Sequence, residues 1–152
     1  MQAAEAAIQA HVVAMPARLT LLRRLCTLRG VGPVTGWTLM AELPELGRLT
    51  RRAIAALVGL APMQHDSGKR RGKAKTGFGR PGVRQVLFNA ARAAIRWNPV
   101  MRDFYQRLVQ SNHRPGQVAM LAVMRKLLVT LNAMVRDAAD WRGPTQAEAH
   151  AA

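Results

Sequence analysis

The stretch from Gly59 to Arg84 restricts the fold of this chain more than any other feature, because it cannot be built into a hydrophobic core. It contains seven Lys or Arg from Lys69 onward and five glycines from Gly68 to Gly82. Like charges at this density repel one another unless an anion lies among them, and glycine lets backbone amides approach a phosphate closely. Apolar sequence with helical spacing lies on both sides, so we interpret the stretch as a working loop held by a scaffold. A solvated basic loop without a ligand is the alternative that composition leaves open.

The rest of the charge is also unevenly distributed. The chain of 152 residues carries a net charge of +15 and has a pI near 11.9. Between Leu46 and Met101 there are twelve Lys or Arg and a single acid, Asp66. A polyanion is the expected partner of such a basic region, and nucleic acid fits it better than a membrane surface does.

Composition favours one all-α domain. The chain is 49% hydrophobic, mostly Ala, Leu, Val and Met, and only 5% aromatic, a mixture that suits helices better than sheets. The glycine-rich loop could form a short β-hairpin. Cys26 is the only cysteine, which excludes an internal disulfide and favours a reducing compartment. We therefore expect a cytoplasmic, nucleoid-associated protein.

Helical periodicity and proline positions predict where the helices lie. They indicate helices over 4–14, 18–28 and 117–137, and helices that begin near Pro33, Thr50, Pro81 and Pro99. The helix after Pro81 has the clearest apolar face, made of Val83, Val86, Leu87, Ala90, Ala91, Ala94 and Ile95. Residues 118–135 are almost all apolar, but adjacent cations lie at their centre, so we predict a buried helix rather than a membrane span.

Two sequence features point to the backbone of DNA. Gly30-Val31-Gly32 joins two predicted helices in the manner of a helix-hairpin-helix motif, whose amides at the second helix's N-terminus bind a phosphate without reading bases. An ordinary tight turn between helices is an equal alternative. Arg51 and Arg52 oppose the dipole at the start of their helix, which is explicable if they contact phosphate; a solvated helix end is the simpler explanation. The predicted DNA-binding residues are Gly30, Gly32, Arg51, Arg52, Lys69, Arg70, Arg71, Lys73, Lys75, Arg80 and Arg84.

Candidate catalytic groups are few. The chain has eight acidic residues, and they do not form a pattern suited to a two-metal nuclease site; the four histidines are too scattered for zinc. Ser67, in His65-Asp66-Ser67-Gly68, is a candidate nucleophile because the cations and glycine amides after it could stabilise charge in a transition state. His65 or Asp66 could orient it or accept its proton. Asp-Ser-Gly is also a common turn sequence.

Four stretches occur in one order between about Leu21 and Asp137: GVGPVTGWTLMAELPELGRLTRRAIAALVGLAP, HDSGKRRGKAKTGFGR, VRQVLFNAARAAIRWNPVMRDFYQRL and VAMLAVMRKLLVTLNAMVRD. In this order they resemble the C-terminal domain of transposases of the insertion-sequence 110/116/902 family. The resemblance implies that the serine at position 67 becomes covalently joined to cleaved DNA, guided by an RNA that the element encodes. Gly68 matches the residue after that serine, and Gly30 and Gly32 match the hairpin.

The resemblance also implies partners. In the family a separate N-terminal RuvC-like domain holds Mg²⁺ on four acidic residues, and that domain is not part of this sequence. We therefore expect no cofactor in this chain and little catalysis without the acidic domain. DNA is the expected partner, guide RNA and a full-length or separate transposase subunit are further candidates, and the active form is expected to be an oligomer.

The expected organisation has three parts. Residues 1–20 would be the end of a helical linker, 21–138 the serine-bearing domain and 139–152 a disordered tail. Two functions remain open at this point. One is the serine-bearing part of a transposase; the other is a non-catalytic helix-hairpin-helix module that binds DNA or structured RNA without specificity.

Overall fold

The structure of the protein, a computed structural model, describes residues 2–13, 16–61 and 79–143. These ranges contain seven α-helices, one π-helical turn at Arg107–Ser111, and no β-strand. The helices are α1 (Gln2–Val13), α2 (Pro16–Cys26), α3 (Pro33–Glu42), α4 (Arg51–Val58), α5 (Pro81–Trp97), α6 (Pro99–Gln106) and α7 (Gly116–Arg136). The predicted all-α class is confirmed, whereas the β-hairpin was predicted within residues 62–78, which lie outside the described ranges.

Four helices start where the sequence signals predict, whereas α2 begins and ends two residues earlier than the predicted range 18–28. Pro33, Pro81 and Pro99 each occupy the first turn of a helix, where a missing backbone N–H breaks no helical hydrogen bond. Thr50 caps α4, its side-chain oxygen accepting a 3.2 Å hydrogen bond from the Ala53 amide. Caps and prolines therefore fix the helix boundaries locally.

α5 and α7 form the centre of the core, and α2, α3, α4 and α6 pack around them. On α5 the apolar face predicted from sequence is buried, with Val86 and Ile95 at its half-buried margin. On α7 the buried apolar residues are Ala119, Val123, Met124, Leu127, Leu128, Leu131 and Met134. Burial of this apolar surface is the main force that holds the helices together.

One buried polar side chain ties α7 to the connector before α4. Asn132 is 1% exposed. Its Oδ1 accepts a 2.7 Å hydrogen bond from the Gly47 amide, and its Nδ2 donates a 2.9 Å bond to the Leu49 carbonyl. Both ends of the amide are thus satisfied, as a buried polar group requires, and the connector is held in one position.

α7 has the length and apolar composition of a membrane-crossing helix, with a mean hydropathy of 1.7 over its most apolar window. It is the one helix of the described ranges that meets these criteria. Eight of its residues are buried in the core, and Arg125 and Lys126 lie near its middle. The prediction of a core helix at this position is confirmed.

The two ends of the described chain both contact α2. α1 packs against α2. At the other end the Trp141 amide donates a 2.9 Å hydrogen bond to Thr27 Oγ1, and Arg24 forms a 3.5 Å ion pair with Asp140. The division at residues 20 and 138 stays a prediction.

Candidate nucleic-acid interface

The two described segments on either side of residues 62–78 lie in contact with each other. Gly79 has φ +135°, and a Cβ placed on it would lie 2.4 Å from the carbonyl carbon of Val58 and 2.6 Å from the amide nitrogen of Gly59. Only glycine allows so close a backbone contact at this φ. The last turn of α4 therefore lies directly against the residue that follows positions 62–78, and the predicted loop is closed at its base.

Two arginines that were predicted to contact DNA make contacts at this base. Arg80 donates 2.6 Å hydrogen bonds to both carboxylate oxygens of Glu45 and a 2.7 Å bond to the Glu42 carbonyl. Arg84 donates a 3.1 Å hydrogen bond to the carbonyl of Val58. Planar guanidinium groups suit such bidentate pairing with a carboxylate. Both arginines thus help to close the loop, and their contact with DNA stays a prediction.

The pair between Arg80 and Glu45 is fully charged at neutral pH. Hydrogen bonds from the Arg80 side chain lower the pKa of Glu45 from 4.5 to about 2. In turn, the Glu45 carboxylate raises the pKa of Arg80. This ion pair, which clamps Arg80 to Glu45, therefore persists at every pH at which the carboxylate stays ionised.

The two glycines of the predicted hairpin have different roles. Gly30 has φ +110°, and a Cβ there would lie 2.7 Å from the backbone of Ala94 on α5. Gly32 has φ −98°, precedes Pro33 at the start of α3, and has open space around its Cα. Gly30 is needed for packing, whereas a side chain at Gly32 would meet no other atom within 4 Å. The helix-hairpin-helix function of this turn stays a prediction.

Arg51 and Arg52 face cations that sequence reasoning had not connected with them. Both are exposed at the start of α4 and line an open groove of about 480 Å³ with residues of α6 and α7. Arg125 and Lys126 line the same groove. In the sequence, Arg125 and Lys126 are an adjacent pair of cations within an apolar helix. This pattern argues against a membrane span, and it also indicates a charged surface on that helix.

Residues 22–106 match the model of the transposase IS116/IS110/IS902 family. The chain belongs to this family. It is also 32% identical over 129 residues to a probable family 20 transposase of Pseudomonas aeruginosa, an alignment that covers 80% of this chain. The chain spans 36% of the length of that curated relative. The resemblance drawn from sequence motifs is therefore confirmed.

The family match includes the positions of the predicted nucleophile and of all eleven predicted DNA-binding residues. Five of these eleven lie outside the described ranges, as do the predicted nucleophile and its neighbours; they are Lys69, Arg70, Arg71, Lys73 and Lys75, with Ser67, His65 and Asp66. Among the residues that the structure does describe, no three His, Cys, Asp or Glu side chains are grouped so as to hold a metal ion. The described part of the candidate site thus consists of Arg80 and Arg84 next to residues 62–78, the turn between α2 and α3, and the groove at the start of α4.

Proposed function

We propose that this chain is the DNA-binding part of a transposase, in which the basic loop binds a phosphodiester backbone and Ser67 is the nucleophile. Membership of the transposase family is the observation that carries this proposal. The net charge of +15 and the cations of the loop supply the complementary charge. DNA transposition is accordingly the process in which the chain would act, in association with the bacterial nucleoid.

The scaffold supports this proposal through the geometry of the loop base. Gly79 lies against α4, while Arg80 is fixed to Glu45. A loop whose ends are held together loses less conformational entropy when it closes around a ligand than one with free ends. The clamp therefore lowers the entropic cost of placing the loop cations around a phosphate.

In the proposed chemistry the Ser67 hydroxyl oxygen forms an ester bond to a DNA phosphorus. The bond between that phosphorus and one strand oxygen breaks, and the departing strand leaves with a hydroxyl group. The serine proton passes to a base, for which His65 or Asp66 is the nearest candidate in sequence, and the departing oxygen takes up a proton. Cations and backbone amides stabilise the added negative charge. Carboxylates that bind Mg²⁺ would come from a separate acidic domain.

A suicide DNA substrate tests the nucleophile. With the acidic domain added in trans, the wild-type chain should form a covalent protein–DNA adduct that survives denaturing electrophoresis. Ser67→Ala should abolish the adduct, whereas Thr76→Ala, which removes another hydroxyl from the same segment, should retain it. An adduct that persists in Ser67→Ala would show that another residue is the nucleophile.

The second candidate is a non-catalytic module that holds DNA or structured RNA through the turn between α2 and α3. The open space beside Gly32 at the N-terminus of α3 favours it, because a helix N-terminus can bind a phosphate through its amides. This module would bind nucleic acid with strong salt dependence, and Ser67→Ala would change nothing measurable. Binding that did not weaken with salt would exclude both candidates.

A further inference from the structure

We infer that the groove between α4, α6 and α7 is a second binding site for a nucleic-acid backbone, built by Arg51, Arg52, Arg125 and Lys126. This inference rests on the proposed function, since it assumes that the partner is a nucleic acid. It adds a surface on the scaffold itself, outside the basic loop.

Positive charge converges on this groove from α4 and α7. Four cations from two helices line one open groove of about 480 Å³, and the other described lining residues are Phe104, Ala122 and Val129. No carboxylate is among these lining residues. Within the described ranges, the three ion pairs join Arg24 to Asp140, Arg80 to Glu45 and Arg136 to Asp137. The groove therefore carries an uncompensated positive charge that a phosphate chain would neutralise.

The arrangement is also electrostatically costly without an anion. Arg51 and Arg52 lie in the first turn of α4, where the partial positive charge of the helix repels them. Burial lowers the pKa of Lys126, and the guanidinium of Arg107 lowers it further. Backbone phosphates placed in the groove would offset the repulsion among these cations and would favour the charged form of Lys126.

The α7 side of the groove is preorganised. Lys126 Nζ lies 4.2 Å from the centroid of the Phe104 ring, a contact that orients the ammonium group. Arg125 and Lys126 are half-buried on the helix at the centre of the core. Fixed cations lose less side-chain entropy when they bind a phosphate. Because the Phe104 face is already covered by Lys126, the groove suits a phosphate backbone better than a stacked base.

Lysine acetylation tests the groove and the loop in one experiment on the wild-type protein. The chain has four lysines: Lys69, Lys73 and Lys75 in the loop, and Lys126 in the groove. Each would be quantified by mass spectrometry with and without a DNA duplex of roughly 30 base pairs, and with an RNA hairpin of similar size. We expect binding of either probe to reduce acetylation of Lys126 several-fold.

The outcomes separate this inference from the proposed function. Protection of the loop lysines with Lys126 unchanged would reject the groove and leave the proposed function standing. Protection of Lys126 alone would support the groove and remove the loop from the proposed interface. Protection of Lys126 by anionic lipid vesicles but by neither nucleic acid would overturn the inference in favour of a membrane.

A matched pair of double variants provides an independent measurement. Arg125→Gln with Lys126→Gln should reduce the salt slope of duplex binding by about 1.8, or about 0.9 for each lost phosphate contact. Arg23→Gln with Arg92→Gln removes the same charge from exposed positions of α2 and α5 and should leave the slope nearly unchanged. Equal slopes for the two double variants, both confirmed as folded by circular dichroism, would overturn the inference.

Discussion

Arg80 and Glu45 form a bidentate ion pair across the base of the glycine-rich loop, with both guanidinium–carboxylate distances at 2.6 Å. The pair connects the first residue before α5 to the connector between α3 and α4. Together with the contact of Gly79 on Val58, it holds the start of α5 against the helices that precede residues 62–78. The placement of Gly79 and Arg80 near neutral pH depends on this ion pair.

The clamp makes stability depend on pH in a defined window. Because the pKa of Glu45 falls from 4.5 to about 2 on folding, its stabilising effect is fully present above about pH 4.5 and is lost as the pH falls towards 2. The difference in Tm between wild type and Glu45→Gln should therefore shrink across this window. Arg80→Gln, which removes the partner, should show the same trend. A difference in Tm that stays constant from pH 6 to pH 2.5, roughly, would contradict this role of the pair.

The Gly30 backbone should not tolerate a side chain. Gly30→Ala places a Cβ at φ +110° and 2.7 Å from Ala94, so it combines backbone strain with overpacking. We expect a loss of about 2–5 kcal/mol in the free energy of unfolding, measured with urea. Gly32→Ala is the matched control, since nothing lies within 4 Å of the position that its Cβ would take, and it should cost no more than about 1 kcal/mol, the effect of a poorer N-cap on α3. Similar effects of the two substitutions would refute the packing argument.

The buried side chain of Asn132 should contribute strongly to the stability of the fold. Asn132→Ala removes the hydrogen-bond partners of the Gly47 amide and the Leu49 carbonyl. Leaving these two half-buried backbone groups unpaired and removing a buried side chain should together cost about 2–4 kcal/mol in urea unfolding. Asn89→Ala, at an exposed position of α5, should cost no more than about 0.5 kcal/mol. An equally small effect at Asn132 would mean that water replaces the lost amide.

The arginines of the predicted DNA-binding set should divide into two functional classes. Arg71→Gln should reduce the salt slope of duplex binding by about 0.9, the effect of one lost phosphate contact, without lowering Tm. Arg80→Gln should lower Tm, because it breaks the pair with Glu45, and should change the slope by less than half as much. A full reduction in slope with an unchanged Tm for Arg80→Gln would identify it as a phosphate contact instead.

The local features of this protein could be predicted from its sequence because they arise from near neighbours along the chain. Pro33, Pro81 and Pro99 fix the starts of their helices by removing an N–H that needs no partner there, and Thr50 caps the next amides by reaching three residues ahead. The apolar period of α5 likewise defines its buried face. The sequence also determined the family, since ordered motifs carry that information without any contact geometry.

Only the tertiary structure decided which charges meet. Glu45 and Arg80 are separated by thirty-five positions, and no periodicity or local propensity encodes their pairing. In the same way, Arg51 and Arg52 lie beside Arg125 and Lys126 because α4 packs against α7. Electrostatic partners are set by distances in space, and those distances follow from how the apolar faces of separate helices pack together.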